Sequence, residues 1–141
     1  MIKVCILDYG SGNVQSVKNL LQHLKVKSTI SNNNKVILDS THIILPGVGA
    51  FGESIKKLRK NIDIKFLEKE VLKNKKPFLG ICVGMQLLAD VGEEFGIHKG
   101  LGWIKGKVIK LKSRILPHIG WNEVKIKKND LIFHELKEKD F

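Results

Sequence analysis

The chain has 141 residues, of which 43% are hydrophobic and 28% are charged, as in a globular protein with one buried core. No apolar run reaches membrane-spanning length, and the first residues enter a strand pattern directly, so no secretory leader is expected. The formal net charge is +11, but Arg59 and Arg114 are the only arginines and few aromatics stand between the lysines, so nucleic-acid binding is not expected.

The chain contains two cysteines, Cys5 and Cys82, which are too few for a disulfide framework. Cys5 lies inside the first predicted strand and is expected to be a small core residue. A reactive thiol that has no disulfide partner suits a reducing compartment, so we expect a cytoplasmic location. We expect neither a metal ion nor a cofactor.

The first strand is predicted at residues 2–7, and the loop 8–13 at its carboxyl end leads into an amphipathic helix. Gly10 and Gly12 suggest a phosphate-binding loop, but their spacing matches neither a dinucleotide fingerprint nor a P-loop. The alternative is a tight turn capped by Asn13. The apolar residues predicted to share one face of the helix are Val14, Val17, Leu20, Leu21 and Leu24.

Two further strands are predicted at residues 27–31 and 42–45, with a turn at residues 32–34. The third strand runs into the segment 46–52 (Pro-Gly-Val-Gly-Ala-Phe-Gly), which holds three glycines. Permissive backbone just past a strand end leaves N–H groups free, which suits an oxyanion hole or an anion site. A flexible turn is the alternative.

Residues 53–60 and 64–74 are predicted to form two lysine-rich amphipathic helices, and an apolar run from Pro77 predicts a buried parallel strand. Residues 83–89 have helical spacing. This alternation of strands and helices predicts a parallel sheet with helices on both faces. The elements predicted beyond it are a loop at 92–102 and antiparallel strands at 105–112 and 123–128.

A cysteine stands at the corner between the apolar strand and its helix, in the segment 80–84 (Gly-Ile-Cys-Val-Gly). Such a corner pushes the side chain out at the top of the sheet, and its glycines avoid collisions with the neighbouring chain. A helix N-terminus there would favour the nucleophilic thiolate. We therefore predict that Cys82 is a nucleophile, with a buried strand cysteine as the alternative. The loops 8–13 and 46–52 should converge beside it.

At this point the sequence resembles a known family. The segments 46–51 and 80–86 resemble those of class I, or triad, glutamine amidotransferases. Segments at 8–13, 100–108 and 117–122 are similar to those of the glutaminase subunits of imidazole glycerol phosphate synthases. The resemblance implies a flavodoxin-like parallel sheet with helices on both faces and antiparallel strands toward the C-terminus. It covers residues 1–141 as a single domain that we expect to be C-terminally incomplete.

The resemblance also implies the chemistry. Cys82 attacks the carboxamide carbon of glutamine, and the backbone N–H groups of Val83 and Val48 hold the oxyanion. Ammonia leaves, and water then hydrolyses the thioester to glutamate. The positions that match those holding the polar ends of the substrate are Gly49, Gln86 and Glu94.

A partner is implied as well. In the family the ammonia passes to a (β/α)₈-barrel cyclase subunit, which uses it in a lyase reaction of histidine biosynthesis. The two subunits form a heterodimer, and Asn13 and Trp121 match positions at the face toward the cyclase. No nucleic-acid or membrane partner is implied.

One departure concerns the triad. Family members continue into a strand-borne His-x-Glu or His-x-Asp pair, and this sequence stops at Phe141 before any such pair. His134 and Glu135 are adjacent, so on a strand they would point to opposite faces. We therefore expect the triad histidine and glutamate to be absent and the chain alone to be inactive. The other histidines, none an obvious base, are His23, His42, His98 and His118.

Other functions remain open at this stage. A glutaminase that serves a sugar amidotransferase could share the cysteine corner and the oxyanion loop. A non-catalytic α/β module could have lost its base and bind a partner. A dienelactone-hydrolase-like cysteine enzyme would need its own histidine and aspartate after the corner, and none is apparent.

Overall fold

The computed structural model describes residues 1–113, 116–117, 119–121, 123 and 126. The backbone divides into two compact units, Met1–Lys110 and Leu111–Phe141. All helices and strands given below belong to the first unit. The strand predicted at 123–128 lies largely outside the described residues, and the single-domain expectation stays a prediction.

A four-stranded parallel sheet forms the centre of the first unit. Its strands are β1 (Lys3–Leu7), β2 (Lys27–Ser31), β3 (His42–Gly47) and β4 (Phe78–Cys82). They lie in the order β2-β1-β3-β4, and every neighbouring pair is parallel. This is the order of a flavodoxin-like sheet, so the predicted fold class is confirmed.

Helices cover both faces of this sheet. Val4 and Ile6 of β1 pack with residues of the first helix on one face, whereas Cys5 and Leu7 pack with residues of the next three helices on the other. This alternation follows from the two-residue period of a strand. The helices are α1 (Val14–His23), α2 (Asn34–Asp39), α3 (Phe51–Asn61), α4 (Ile64–Glu68), which continues as a π-helical turn (Lys69–Lys73), and α5 (Val83–Gln86).

The helix α2 was not expected from the sequence, which predicts only a turn at residues 32–34. The Asn33 side chain accepts a hydrogen bond from the Lys35 N–H at 2.8 Å and thereby caps the first turn. Asparagine favours turns and helix caps alike, so the turn prediction missed the helix that follows.

The apolar face of α1 is narrower than predicted. Val14, Val17 and Leu21 pack against the sheet. Leu20 and Leu24 are more than half exposed, although the sequence places them on the same face. They lie at the margin of the apolar stripe, where helical spacing alone does not settle burial.

A second, three-stranded sheet follows the first. It contains β5 (Ala89–Gly92), β6 (His98–Lys99) and β7 (Ile104–Val108), in the order β6-β5-β7. The pair β5–β6 is antiparallel and the pair β5–β7 is parallel. The strand predicted at 105–112 is β7, which is shorter, Ile104–Val108, and parallel to β5. Its pairing with the strand predicted at 123–128 lies outside the described residues and stays a prediction.

The helix predicted at 83–89 ends at Gln86, and the chain leaves the helical path there. The carbonyls of Leu87, Leu88 and Ala89 accept hydrogen bonds from N–H groups of residues 101–104. These long-range bonds replace the helical ones and start β5, so residues beyond the first turn follow tertiary pairing rather than local spacing.

A buried ion pair holds the π-helical turn against α2. Lys76 Nζ lies 3.0 Å from Glu70 Oε2, and the two side chains are 11% and 4% exposed. Lys76 also donates to the carbonyls of Ile37 and Leu38 at 2.7 and 2.9 Å, and Asn74 donates to Glu70 Oε1 at 2.8 Å. Both charges are thus neutralised and hydrogen-bonded, as burial requires.

None of the helices in the described part of the chain combines the length and apolarity needed to cross a membrane.

Candidate active site

Cys82 lies where β4 ends and α5 begins, as predicted. Its backbone has φ 54° and ψ −121°, a conformation that residues other than glycine rarely adopt. The side chain is exposed. A Cβ on Gly84 would overlap the Leu45 carbonyl of β3, so only glycine lets the corner lie this close to the neighbouring strand. The strained corner is therefore held by backbone packing on β3.

One part of the cysteine argument from the sequence loses its basis. The helix that follows Cys82 is a single turn of four residues, Val83–Gln86. A macrodipole that activates a thiolate needs several aligned peptide units, and one turn provides few of them. The case for Cys82 as a nucleophile therefore rests on its strained, exposed position and on its neighbours.

The loop that follows β3 lies beside the cysteine. The register of β3 and β4 places Gly47 opposite Cys82. The Ser11 hydroxyl, from the loop after β1, donates to the Val48 carbonyl at 2.8 Å. The three loops expected to converge at the carboxyl ends of the strands are therefore in contact.

A cavity of about 540 Å³ opens next to these loops. This volume lies in the range of small-molecule sites. Its lining includes Gly49, Gln86 and Glu94, the three positions predicted to hold a substrate, together with Val83. Glu93 and Lys110 also line it, and the sequence did not single out Lys110 because lysines are numerous along the chain.

Glu94 has a structural contact besides its place in the cavity wall. Its Oε2 accepts the Phe51 N–H at 2.8 Å, in the first turn of α3, whose N-cap residue Ala50 makes no side-chain cap. A carboxylate at this helix end satisfies a free donor and opposes the positive end of the helix dipole. Glu94 thus fixes the start of α3 from 43 residues away.

The segment that carries Glu94 packs closely on the start of α3. A Cβ on Gly52 would stand 2.6 Å from the His98 ring. A Cβ on Gly92 would likewise overlap the Phe51 ring. Gly92 is therefore required by close approach to the buried Phe51 ring, whereas a side chain at Gly52 would displace the His98 ring. The sequence indicated only a loop role for Gly52 and did not reveal this contact.

Asn13, Trp121 and the histidines are the predicted positions that remain. Asn13 caps α1, where its Oδ1 accepts the Ser16 N–H at 3.2 Å. Trp121 belongs to the second unit and is 86% exposed. The part of the cavity wall that the structure describes contains no histidine. His118 and His134 lie outside the described residues.

The two thiols should differ strongly in reactivity. Cys5 is fully buried, and burial raises its pKa to about 11. At pH 8 only about one molecule in a thousand would carry a thiolate at such a pKa. We therefore expect limited iodoacetamide treatment to alkylate the exposed Cys82 at least about tenfold faster than Cys5, because Cys5 is buried and rarely ionised. Peptide mapping measures the ratio, and equal labelling of Cys5 would contradict this expectation.

Comparison with known proteins is consistent with this geometry. Residues 5–140 match the sequence profile of the family described as glutamine amidotransferase class-I. Imidazole glycerol phosphate synthase subunit HisH of Zymomonas mobilis is 47% identical over 129 residues, which are 86% of this chain and 61% of that protein. The HisH of Aquifex aeolicus is 41% identical over 142 residues, 99% of this chain and 68% of that protein. The chain thus spans about two thirds of the length of these relatives.

A solved structure gives the same fold. A crystal structure described as a glutamine amidotransferase aligns with a TM-score of 0.62 and 20% sequence identity. The alignment covers 74% of this chain and 54% of that one. At this identity the likeness supports the fold and nothing finer.

Proposed function

The chain belongs to the class I glutamine amidotransferase family, and from this membership we propose that it is the glutaminase part of an imidazole glycerol phosphate synthase. The observation that carries the proposal is the likeness to HisH subunits at 41 to 47% identity over most of the chain. The strained Cys82 beside a glycine loop and a cavity of suitable size is in keeping with it.

The proposed reaction begins at Cys82. Its thiolate adds to the carboxamide carbon of glutamine, and the negative charge moves to the amide oxygen. The N–H groups of Val48 and Val83 are the proposed donors to this oxyanion, supported by the position of Gly47 opposite Cys82. The C–N bond then breaks, nitrogen takes up a proton and leaves as ammonia, and water hydrolyses the thioester to glutamate.

Substrate recognition is proposed for three residues in the cavity wall. The free α-ammonium group of glutamine requires an acceptor, and the carboxylate of Glu94 is suited to it while its Oε2 stays bonded to Phe51. Gln86 and the backbone of Gly49 would contact the other polar groups. The ammonia would pass to a barrel cyclase subunit, with which this chain would form a cytoplasmic heterodimer. Asn13 and Trp121 are the residues proposed to contact the cyclase.

Complementation tests the proposed pathway. A chimera joins residues 1–141 to the part of the Aquifex aeolicus relative that the match does not cover, and it is expressed in a bacterial strain that lacks HisH. We expect growth without histidine at low ammonia, and no growth when Cys82 is replaced by alanine. Rescue of a strain that requires glucosamine, but not of this one, would favour a sugar amidotransferase. Partner binding without glutamine hydrolysis would favour a non-catalytic module.

Trp121 tests the proposed interface. Because a large exposed aromatic side chain is typical of an interface anchor, Trp121→Ala should weaken binding of the cyclase subunit about 30-fold, or roughly 2 kcal/mol. Leu38→Ala is the matched control, since Leu38 is an exposed apolar residue of α2. Calorimetric titration measures both. Unchanged affinity in Trp121→Ala would remove this residue from the interface.

A further inference from the structure

Three hydroxyl groups lie beneath the loop that follows β3. The Ser11 hydroxyl donates to the Val48 carbonyl at 2.8 Å. Ser54 Oγ, from the first turn of α3, lies 3.5 Å from the same carbonyl and 3.5 Å from Ser11 Oγ. Ser54 is 1% exposed. The Val48 carbonyl therefore meets hydroxyls from two elements that are distant in sequence.

The Tyr9 hydroxyl is the third member of this cluster. It is buried and forms no well-formed hydrogen bond within the described part of the chain. A Cβ on Gly47 would stand 3.0 Å from its oxygen, so the hydroxyl lies directly against the loop. Burial raises the pKa of Tyr9, while the nearby hydroxyls of Ser11 and Ser54 lower it. Tyr9 therefore remains a neutral polar group at the base of the loop.

The loop itself has few other restraints. The Val48 side chain is 54% exposed and cannot anchor it by burial. Gly49 has φ 92°, and a Cβ placed there would meet no atom within 4 Å. Val48 and Gly49, which follow the last residue of β3, therefore have little side-chain packing to fix their conformation. Fixing one carbonyl by a hydrogen bond removes much of their conformational freedom.

We infer that Ser11 is a positioning residue: with Ser54 it holds the Val48 carbonyl and so fixes the peptide that carries the Gly49 N–H. Through that peptide it restrains the preceding one, which carries the Val48 N–H, the proposed oxyanion donor. The inference rests on the proposed function, because it takes this loop as part of an oxyanion hole. Ser11 contributes more than Ser54 because its hydrogen bond is shorter and better formed. Ser11 touches no reacting atom, so its effect is expected only in steps that develop charge on oxygen.

Two reagents separate this role from a general structural one. The chloroketone analogue of glutamine, 2-amino-6-chloro-5-oxohexanoate, has its carbonyl at the same carbon as the carboxamide of glutamine. It accepts the Cys82 thiolate at that carbon and places negative charge on oxygen. The sulfur then displaces chloride to form a thioether, and the carbonyl is restored. Iodoacetamide reacts by direct displacement of iodide and develops no charge on its carbonyl oxygen. Neither reaction needs a triad histidine to protonate a leaving group.

The measurement compares labelling rates at Cys82 in the 141-residue chain. Ser11→Ala should slow the chloroketone about tenfold, the effect of one lost hydrogen bond, and leave iodoacetamide within about twofold. Ser11→Thr keeps the hydroxyl and should restore the chloroketone rate. Ser16→Ala, in the first turn of α1, is the matched control and should change neither rate.

The labelling rates distinguish a failure of the positioning role of Ser11 from a failure of the proposed function. Equal slowing with both reagents, or slowing with neither, overturns the positioning role of Ser11. If chloroketone labelling of the unaltered chain neither saturates nor is slowed by glutamine, the proposed function fails, and the inference falls with it. Amide hydrogen exchange across residues 47–50 gives a second readout, which should rise in Ser11→Ala and not in Ser16→Ala.

Discussion

The 141-residue polypeptide should release ammonia from glutamine at least about 10⁴-fold more slowly than the chimera extended with the Aquifex aeolicus relative, even with the cyclase present. Addition of the thiolate needs a nucleophile and oxyanion donors, for which Cys82 and the glycine loop are the candidates. Expelling ammonia also needs a proton on nitrogen, and deacylation needs a base for water. The described cavity wall offers no histidine for either step.

Steady-state ammonia release, measured by coupling to glutamate dehydrogenase, compares the two proteins. The chimera with Cys82→Ala sets the background. Comparable turnover in both proteins would mean that a base lies within residues 1–141. His118→Asn and His134→Asn would then identify it, and the expectation drawn from the adjacent His134 and Glu135 would be wrong.

Replacing Lys76 by methionine should lower the free energy of unfolding by about 3–5 kcal/mol, as removal of one member of a buried pair commonly does. Methionine keeps most of the volume but removes the charge and the donors. It would leave the Glu70 carboxylate, 4% exposed, with Asn74 as its side-chain partner among the described residues. It would also remove the ammonium donor from the carbonyls of Ile37 and Leu38, of which Ile37 keeps the hydroxyl of Ser40. Urea unfolding followed by circular dichroism measures the loss.

Two further variants make this test specific. The double variant Glu70→Leu with Lys76→Met removes both charges and should lose less than Lys76→Met alone. Lys56→Met breaks the exposed pair with Glu53 and should leave the urea midpoint unchanged. A loss in Lys76→Met no larger than in Lys56→Met would show that the buried pair does not stabilise the fold.

Sequence patterns located the central sheet mainly because β1, β3 and β4 contain apolar runs that end at a loop or a helix. They also located the Cys82 corner from the spacing of its glycines. One of these, Gly84, has to be glycine because it lies against the Leu45 carbonyl. These features are local, and they depend on a few neighbouring residues. The sequence did not predict helix α2 because asparagine, present at position 33, favours turns and helix caps alike.

The parts of the fold and site that escaped prediction depend on distant pairing. The parallel pairing of β5 with β7 is set by bonds between residues 87–89 and 101–104, and no local period records them. The bond from Phe51 to Glu94 joins residues 43 positions apart. Ser11 and Ser54 are also 43 apart, and each alone reads as an ordinary loop or helix residue.

The contacts between the start of α3 and the segment that carries Glu94 bear on how relatives of this protein can be recombined. The Phe51 N–H needs the Glu94 carboxylate, and Gly52 and Gly92 each leave room for a side chain of the other segment. In a shuffled gene library, any crossover between residues 53 and 91 takes the two halves of this contact from different parents. Such crossovers should survive selection mainly where both parents carry Gly52, Gly92 and Glu94, so this stretch is inherited as one block.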